Sequence, residues 1–262
     1  MPELRQPGHW RWPGWLFVML AVVAGLPASA LADDMVRVLA AGAVQGAVLR
    51  LQSDPATAGA AKIDLMFDTV GALRDRVLRG EKADVAILSQ AGIAALEKAG
   101  KVDGQAVDLG RVSVALAVRN GAPKPDVASA NALKRALLSA TSIAHADPAR
   151  GATAGTHFAR VLDQLGIAQQ IQSRITVLPF GGDVIEGVAQ GRFEIGVSQS
   201  SEIVAHQGVL LAGRLPAPYD HHTRYLAVKL GGAGARAEPA LAFLQTAAAR
   251  AVFIEFGFDV GQ

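Results

Sequence analysis

Short apolar runs alternate with amphipathic, helix-like segments along most of this chain, and this alternation constrains the fold more than any other feature. The first runs that predict strands are Met35–Gly42, Lys62–Thr69 and Ala83–Ser89. A helical pattern follows each run, and the second and third patterns end at Gly80 and Gly100. Strands that alternate with helices in this way lie parallel in one sheet, with the helices on its faces. The sequence therefore predicts an α/β fold.

A second α/β set follows a long predicted strand at Gly110–Gly121. Its predicted strands and helices alternate again, in the order SIAHAD, THFARVLDQLG, ITVLPF, GDVIEGVAQG and FEIGVSQS. Arg224–Leu230 is predicted to be a returning strand, and the segment EPALAFLQTAAARAVFIEFGF is predicted to be helical to its end. One outgoing and one returning strand between two sets indicate two lobes, with a cleft at the strand ends. A single continuous doubly wound domain is the alternative.

The N-terminal segment has the three-part pattern of a secretory signal peptide. Arg5 and Arg11 give a positive n-region, Trp15–Gly25 gives an apolar core, and Ala30-Leu31-Ala32 is a small-residue cleavage box. The apolar core is shorter than the roughly 20 residues that span a bilayer. We therefore predict that residues 1–32 are a signal peptide cleaved near Ala32, with an uncleaved anchor as the alternative.

The absence of cysteine and the nearly balanced charge narrow the possible functions. An exported chain without cysteine fits a bacterial periplasm, and it has no thiol nucleophile and no cysteine ligand for zinc. The net charge is +2, or +1 without Glu3, Arg5 and Arg11 of the leader, and aromatic residues make up 5%. These values argue against a nucleic-acid partner. Because Walker, dinucleotide and HExxH motifs are missing from the sequence, we predict no cofactor, no metal and no enzymatic activity.

Four turns that follow predicted strands carry glycine and hydroxyl residues. They are Ala40–Gly46, Phe67–Leu73, Asp147–His157 and Val197–Glu202. A helix N-terminus offers unpaired N–H groups and a partial positive charge, and so it binds an anion without a lysine. Ordinary helix capping is the better explanation for any one turn alone. Four turns at corresponding strand ends together predict a shared anion site.

The candidate ligand contacts lie in these turns and offer backbone N–H, hydroxyl, amide or guanidinium groups. They are Gly42, Ala43, Thr69, Val70, Gly71, Arg150, Gly151, Thr153, Gly155, Ser198 and Gln199. Arg150 is suited to a bidentate contact with a carboxylate, and a solvated loop arginine is the alternative. His145 and His157 are interpreted as structural. Bulky apolar residues at both 153 and 155 are expected to abolish binding and to spare the fold.

Three stretches resemble the molybdate-type periplasmic solute-binding proteins of ABC transporters. VLAAGAV and FDTVGALRDRVLRGEKADVAILSQAGIAALEKAGKV resemble the first lobe of that family, and LAFLQTAAARAVFIEFGF resembles its closing segment. The resemblance implies a type II periplasmic-binding-protein fold with two α/β lobes, two hinge crossings and a cleft that closes on its ligand. We expect one lobe from residues 33–112 and 226–262, the other from 113–225, a monomer, and an inner-membrane ABC permease as partner.

The resemblance leaves the ligand open. The first turn of the molybdate binders has a serine where this chain has Ala43, and their second turn is a run of serine and threonine where this chain has Thr69-Val70-Gly71. A tyrosine in their fourth turn corresponds to Gln199. Because a buried oxyanion needs many converging donors, these changes slightly favour a small organic di- or tricarboxylate over molybdate or tungstate. A periplasmic enzyme or a sensor module that uses the same cleft is the alternative.

Overall fold

The structure is a computed structural model that describes residues 35–53 and 62–261. The predicted signal peptide, residues 1–32, lies outside the described residues. Within the described part, no helix combines the length and the apolar character that crossing a bilayer requires.

The first part of the sheet consists of parallel βα units, as the sequence predicts. Strand β1 (Met35–Ala41) lies between β2 (Lys62–Asp68) and β3 (Val85–Ser89), and both pairings are parallel. Every residue of β3 is buried, as expected for a strand with helices on both faces. The helices that follow these strands are α1 (Gln45–Ser53), α2 (Val70–Leu78) and α3 (Gln90–Lys98).

The second part of the sheet repeats this arrangement around a short central strand. Strand β5 (Ile143–Ala146) lies between β6 (Ile175–Leu178) and β7 (Ile195–Gln199), and it pairs with both in parallel. The helices of this part are α4 (Ala130–Ser139), α5 (Thr153–Gln164), α6 (Ala168–Ile171), α7 (Gly181–Ala189) and α8 (Ser200–Val204).

Two long antiparallel strands join the two parts. Strand β4 (Val102–Arg119) pairs with β9 (His222–Leu230) through residues 102–113, and with β7 and β8 (Val209–Arg214) through residues 114–119. The described strands form one sheet in the order β2-β1-β3-β9-β4-β7-β5-β6, with β8 paired to β4. The α/β fold class with two crossing strands is therefore confirmed.

The two parts of the sheet have separate apolar cores. Leu39, Leu73 and Phe253 are buried in the core around β1, β2 and β3. Leu133 and Phe158 are buried in the largest core cluster around β5. Burial of such side chains contributes about 1.5–3 kcal/mol each. The exact lobe boundaries given above stay a prediction.

The structure differs from the sequence prediction in several segments, including helices α4 and α6, for which no element was predicted. Strand β4 begins at Val102 rather than Gly110, because residues 102–108 continue the pairing with β9 across two irregularities of register. Strand β8 was not predicted, since most of its residues are only half-buried and give no clear alternation. The C-terminal segment forms two helices, α9 (Glu238–Leu244) and α10 (Ala247–Glu255), because the Thr246 side chain caps α10 by accepting a hydrogen bond from Ala249 N–H.

Candidate functional site

A cavity of about 340 Å³ lies at the carboxyl ends of the parallel strands. The last residues of β1, β2, β5 and β7 line it; they are Ala41, Asp68, Ala146 and Gln199. The turns that follow these strands supply most of the remaining lining, and Tyr225 of β9 closes one side. Ligands of open α/β sheets bind at this edge.

Helices α5 and α7 begin at the cavity with their first turns uncapped by side chains. Thr153 and Gly181, the first residues of the two helices, both line the cavity. Their N-cap residues are Ala152 and Phe180, whose side chains have no hydrogen-bond acceptor. Helix α5 starts three residues earlier than the predicted Thr156, and so the Thr153 hydroxyl belongs to the first turn. Both N-termini therefore offer N–H groups to a ligand.

Helix α2 also begins at the cavity, but protein groups occupy its N-terminus. Thr69 lines the cavity, and its hydroxyl accepts a hydrogen bond from Ala72 N–H over 3.2 Å. The same hydroxyl donates to the Arg150 carbonyl oxygen. Gly71 N–H donates to the Gly151 carbonyl oxygen over 3.2 Å. The second and third turns therefore hydrogen bond to each other.

Gly71 and Gly151 permit this contact between the turns. A Cβ on Gly151 would lie 2.5 Å from the Gly71 Cα, and a Cβ on Gly71 would lie 2.7 Å from the Arg150 carbonyl oxygen. Gly151 also has a φ of 71°, which other residues rarely adopt. The structure uses these two glycines for the approach of two turns, and neither lines the cavity.

Arg150 points to protein groups rather than into the cavity. Its Nη2 lies 2.9 Å from Asp68 Oδ1, and its guanidinium lies 4.9 Å above the centre of the Phe180 ring. Asp68 Oδ1 also accepts a hydrogen bond from Thr69 N–H over 2.7 Å. Arg150 therefore compensates the charge of a carboxylate in the lining and joins the second turn to the third.

Gly155 faces β5 rather than the cavity. A Cβ at this position would overlap the Ala146 carbonyl oxygen and would lie 2.8 Å from the carbonyl carbon. The expectation that bulky residues at 153 and 155 spare the fold is therefore wrong. The reason is that the space between α5 and β5 admits no side chain at position 155.

Glu202 of α8 brings a carboxyl group to the cavity that the sequence prediction missed. Its Oε2 accepts a hydrogen bond from the Ser198 hydroxyl and another from Gln199 N–H over 3.3 Å. Its Oε1 lies beside the first turn and α7, since a Cβ on Gly42 would be 3.1 Å from Oε1. Burial raises the pKa of the Glu202 carboxyl above its usual value, and the two hydrogen bonds oppose that shift only in part.

A buried polar network lies beside Glu202. Gln199 Nε2 donates to the Thr153 hydroxyl over 2.8 Å and to the Thr223 hydroxyl over 3.0 Å. The Thr153 hydroxyl also lies 3.4 Å from the Tyr225 hydroxyl. Burial raises the pKa of Tyr225 above its usual value, and so its phenol stays a neutral donor. The network fixes hydroxyl and amide groups from β7, α5 and β9 at the cavity wall.

The structure brings seven of the eleven predicted contacts to the cavity. They are Gly42, Ala43, Thr69, Val70, Thr153, Ser198 and Gln199. The other four, Gly71, Arg150, Gly151 and Gly155, lie behind the wall and hold the turns and helices together. Sequence reasoning missed Glu202 and the α7 turn, although that turn follows a predicted strand just as the other turns do.

The two histidines near the third turn have structural contacts, as interpreted. His145 is buried, its Nδ1 lies 2.9 Å from the Ala146 carbonyl oxygen, and burial lowers its pKa. His157 Nε2 donates to the Tyr219 carbonyl oxygen over 2.8 Å, and its ring stacks on His221. Neither histidine lines the cavity. Among the described residues, no group of three or more histidine, aspartate or glutamate side chains is arranged to hold a metal ion.

Comparisons with known proteins match almost the whole described chain. The model of the family described as bacterial extracellular solute-binding protein matches residues 36–259. The aconitate isomerase of a Pseudomonas species is 31% identical over 195 residues, which are 72% of this chain and 72% of that protein.

Solved structures of periplasmic binding proteins share the fold at low sequence identity. The periplasmic molybdate-binding protein of Azotobacter vinelandii has a TM-score of 0.71 at 18% identity, over 87% of this chain and 100% of that one. The sulfate-binding protein SubI of Mycobacterium tuberculosis has a TM-score of 0.64 at 18% identity, over 86% of both chains. The chain therefore belongs to the bacterial extracellular solute-binding protein family, and its fold is that of the type II periplasmic binding proteins of ABC transporters.

Proposed function

We propose that this protein binds a small organic polycarboxylate in the periplasm and delivers it to an inner-membrane ABC permease. The observation that carries this proposal is the cavity of about 340 Å³ at the strand ends. Its wall combines the uncapped N-termini of α5 and α7 with the hydroxyl groups of Thr69 and Thr153. Such groups bind carboxylates through directed hydrogen bonds.

The size of the cavity supports an organic acid over a tetrahedral oxyanion. A volume of about 340 Å³ lies at the lower end of the range typical of small-molecule sites. Molybdate or sulfate would leave much of this space to water, and charged ligands in such sites need donors on every side. A di- or tricarboxylate fills more of the volume and spreads its charge over separate groups of donors.

The carboxyl groups in the cavity wall are paired, exposed or neutral, and so an anion can bind beside them. The carboxyl groups in the lining belong to Asp68, Asp183 and Glu202. Asp68 is paired with Arg150. Asp183 is exposed in the first turn of α7, where the helix dipole favours a negative charge. The raised pKa of Glu202 favours its neutral form.

The similarity to aconitate isomerase supports the same ligand class. Aconitate is an unsaturated tricarboxylate, and the identity of 31% extends over 72% of both chains. The molybdate- and sulfate-binding neighbours are only 18% identical, and so they bear on the fold alone. The relative therefore favours a tricarboxylate over an oxyanion.

The transport role completes the proposal. We infer export through the leader at residues 1–32, closure of two lobes (residues 33–112 with 226–262, and 113–225) on the ligand, and a monomer that presents the closed form to its permease. Closure is a population shift toward the state that binds the ligand more tightly.

A thermal-shift screen of residues 33–262 tests the ligand class. The panel holds citrate, tricarballylate, cis- and trans-aconitate, malate and succinate, together with molybdate, tungstate and sulfate. A ligand at about 100 times its dissociation constant adds about 2.7 kcal/mol of stability, which raises the Tm by roughly 5–11 °C in a protein of this size. We expect such a shift with at least one tricarboxylate. A shift with molybdate or tungstate alone would contradict the proposal.

Isomerisation of a tricarboxylate is the second candidate function. Glu202, a carboxyl with a raised pKa in the cavity, favours it together with the similarity to aconitate isomerase. Moving the double bond of aconitate by one position breaks one C–H bond and forms another, so that a single carboxylate can accept and return the proton without a cofactor.

Proton NMR of cis- and trans-aconitate in D₂O separates the two functions. If the protein only binds, we expect both isomers to persist and no deuterium to enter their carbon positions. Interconversion with deuterium incorporation, abolished by Glu202→Gln, would establish the second candidate. The Glu97→Gln variant, an exposed change on α3, is the matched control.

A further inference from the structure

Among the carboxyl groups of the described lining, Glu202 is the one that has neither a cationic partner nor an exposed side chain. Asp68 is paired with Arg150, and the Asp183 side chain is exposed. The hydrogen bonds of Glu202 within the described residues come from the Ser198 hydroxyl and Gln199 N–H, and both go to Oε2. Its Oε1 therefore remains on the side of Gly42 and Gly181, where the lining of the cavity continues.

Within the part of the chain that the structure describes, the surroundings of Glu202 contain no cation that could balance both its charge and that of a ligand. The titratable groups that share the cavity with it are Asp68, Asp183 and Tyr225, and no lysine, arginine or histidine is among the described lining residues. The charged residues on the other elements that pack against α8 are exposed and lie outside the lining; they are Arg50 on α1, Asp103, Asp108, Arg111 and Arg119 on β4, Glu186 on α7 and Arg214 on β8.

We propose that Glu202 is a specificity-determining residue whose carboxyl is neutral in the ligand complex and donates its proton from Oε1 to a carboxylate of the bound anion. The cavity then takes up one proton together with the anion. This inference rests on the proposed function, because it names how the same site recognises a polycarboxylate.

The alternative, an ionised Glu202, conflicts with the geometry. Two like charges in contact in a partly buried site repel each other, and each loses part of its hydration. A shared proton converts this repulsion into a hydrogen bond between a carboxylic acid and a carboxylate, which is among the stronger kinds. The two donors on Oε2 leave that oxygen as the acceptor and Oε1 as the site for the proton.

The sign of the pH dependence follows from linkage. Burial already raises the pKa of Glu202, and a neighbouring anion raises it further, since the anion favours the neutral form. The neutral form predominates below the pKa. At pH values between the pKa of Glu202 in the free protein and its higher pKa in the complex, ligand binding is accompanied by the uptake of a proton. The affinity then falls by at most about tenfold per pH unit, the limit set by one proton.

The test compares tricarballylate binding by the wild type and Glu202→Gln, using calorimetry between pH 5.5 and 9.5. Tricarballylate lacks a double bond, and so it reports binding without turnover. The glutamine amide keeps an oxygen for Ser198 and Gln199, retains the capping box that begins α8 and offers its NH₂ where we place the acidic proton. Protonation of the ligand itself is the same for both proteins and cancels.

We expect the two proteins to bind within about threefold of each other at pH 5.5. The wild type should then lose at least about tenfold in affinity by pH 9.5, while the glutamine variant stays nearly constant. Glu97→Gln, an exposed glutamate outside the cavity, should follow the wild type. Parallel profiles for the wild type and Glu202→Gln would overturn the inference and leave the proposed function intact. No tricarballylate binding by either protein at any pH, together with no Tm shift from any polycarboxylate of the panel, would overturn both.

A second measurement covers the case in which Glu202→Gln does not fold, as judged by circular dichroism. Calorimetry of the wild type in two buffers with different ionisation enthalpies counts the protons exchanged on binding. We expect a net uptake that rises toward one proton within the same pH range. Uptake of zero at every pH would overturn the inference.

Discussion

The Gly155→Ala variant is expected to lower the free energy of unfolding by about 3 kcal/mol or more, a Tm loss of roughly 6–12 °C. The added Cβ overlaps the Ala146 carbonyl oxygen and lies 2.8 Å from its carbon, so that a backbone group rather than a flexible side chain must yield. Helix α5 would have to move away from β5, and Phe158, which is fully buried on α5, would lose packing. Thermal and urea unfolding followed by circular dichroism measure the loss.

Gly182→Ala is the matched control for this prediction. Gly182 lies in the first turn of α7, and a Cβ there would meet no atom within 4 Å. Alanine is also the better helix former, so that this variant should match the wild type or gain about 0.4–1 kcal/mol. Equal stability of Gly155→Ala and the wild type would show that α5 does not pack on β5 as described.

The contrast between these glycines shows what the sequence could predict. The turns were predictable, because a glycine and hydroxyl residues after an apolar run mark a strand end that opens a helix. The partner of each glycine was not predictable. Gly71 meets Gly151, which lies far along the chain, and Gly155 meets its own preceding strand. Both contacts depend on how the turns pack in three dimensions.

The polar side chains of the cavity wall were predictable only where they belong to a turn that follows a recognised strand. Thr69, Thr153 and Gln199 were found because each lies at the end of an apolar run or in the turn that follows one. Tyr225 comes from β9, a strand that reaches the cavity only through its pairing with β3 and β4. Glu202 lies in a turn that was recognised, but its spacing from Gln199 indicates a capping box, which gives no sign that the carboxyl lines a cavity.

The ion pair between Arg150 and Asp68 shows how a charged residue can mislead a prediction made from the sequence alone. Arg150 is the one cation of its turn, and a cation beside an anion site is a natural ligand contact. The structure gives it an internal partner instead, at 2.9 Å. The partner is the last residue of another strand, β2, and the sequence analysis considered the hydroxyl groups of the turn after it without this carboxylate. A correct assignment required knowing that the two turns are in contact.

The Gly181→Val variant is expected to lose tricarboxylate binding by at least about 100-fold, equivalent to about 2.7 kcal/mol of binding free energy, with the fold retained. A Cβ at position 181 overlaps the Glu202 carboxylate oxygens and lies 2.6 Å from the carboxyl carbon. That carboxylate ends a flexible side chain, so that it can rotate away, but it then leaves Ser198 and Gln199. The valine methyl groups also occupy the space in front of the α7 N-terminus. Calorimetry with tricarballylate measures the loss.

Gly182→Val is the matched control, because it places the same side chain one residue further along α7, where its Cβ meets no atom within 4 Å. Both variants carry the same helix-propensity cost of a β-branched residue, so that their difference isolates the overlap with Glu202. Gly182 also lines the cavity, and so we expect Gly182→Val to weaken binding by at least tenfold less than Gly181→Val does. Wild-type affinity in both variants, with equal Tm values, would mean that the ligand contacts neither Glu202 nor the start of α7, and it would move the candidate site away from this part of the cavity.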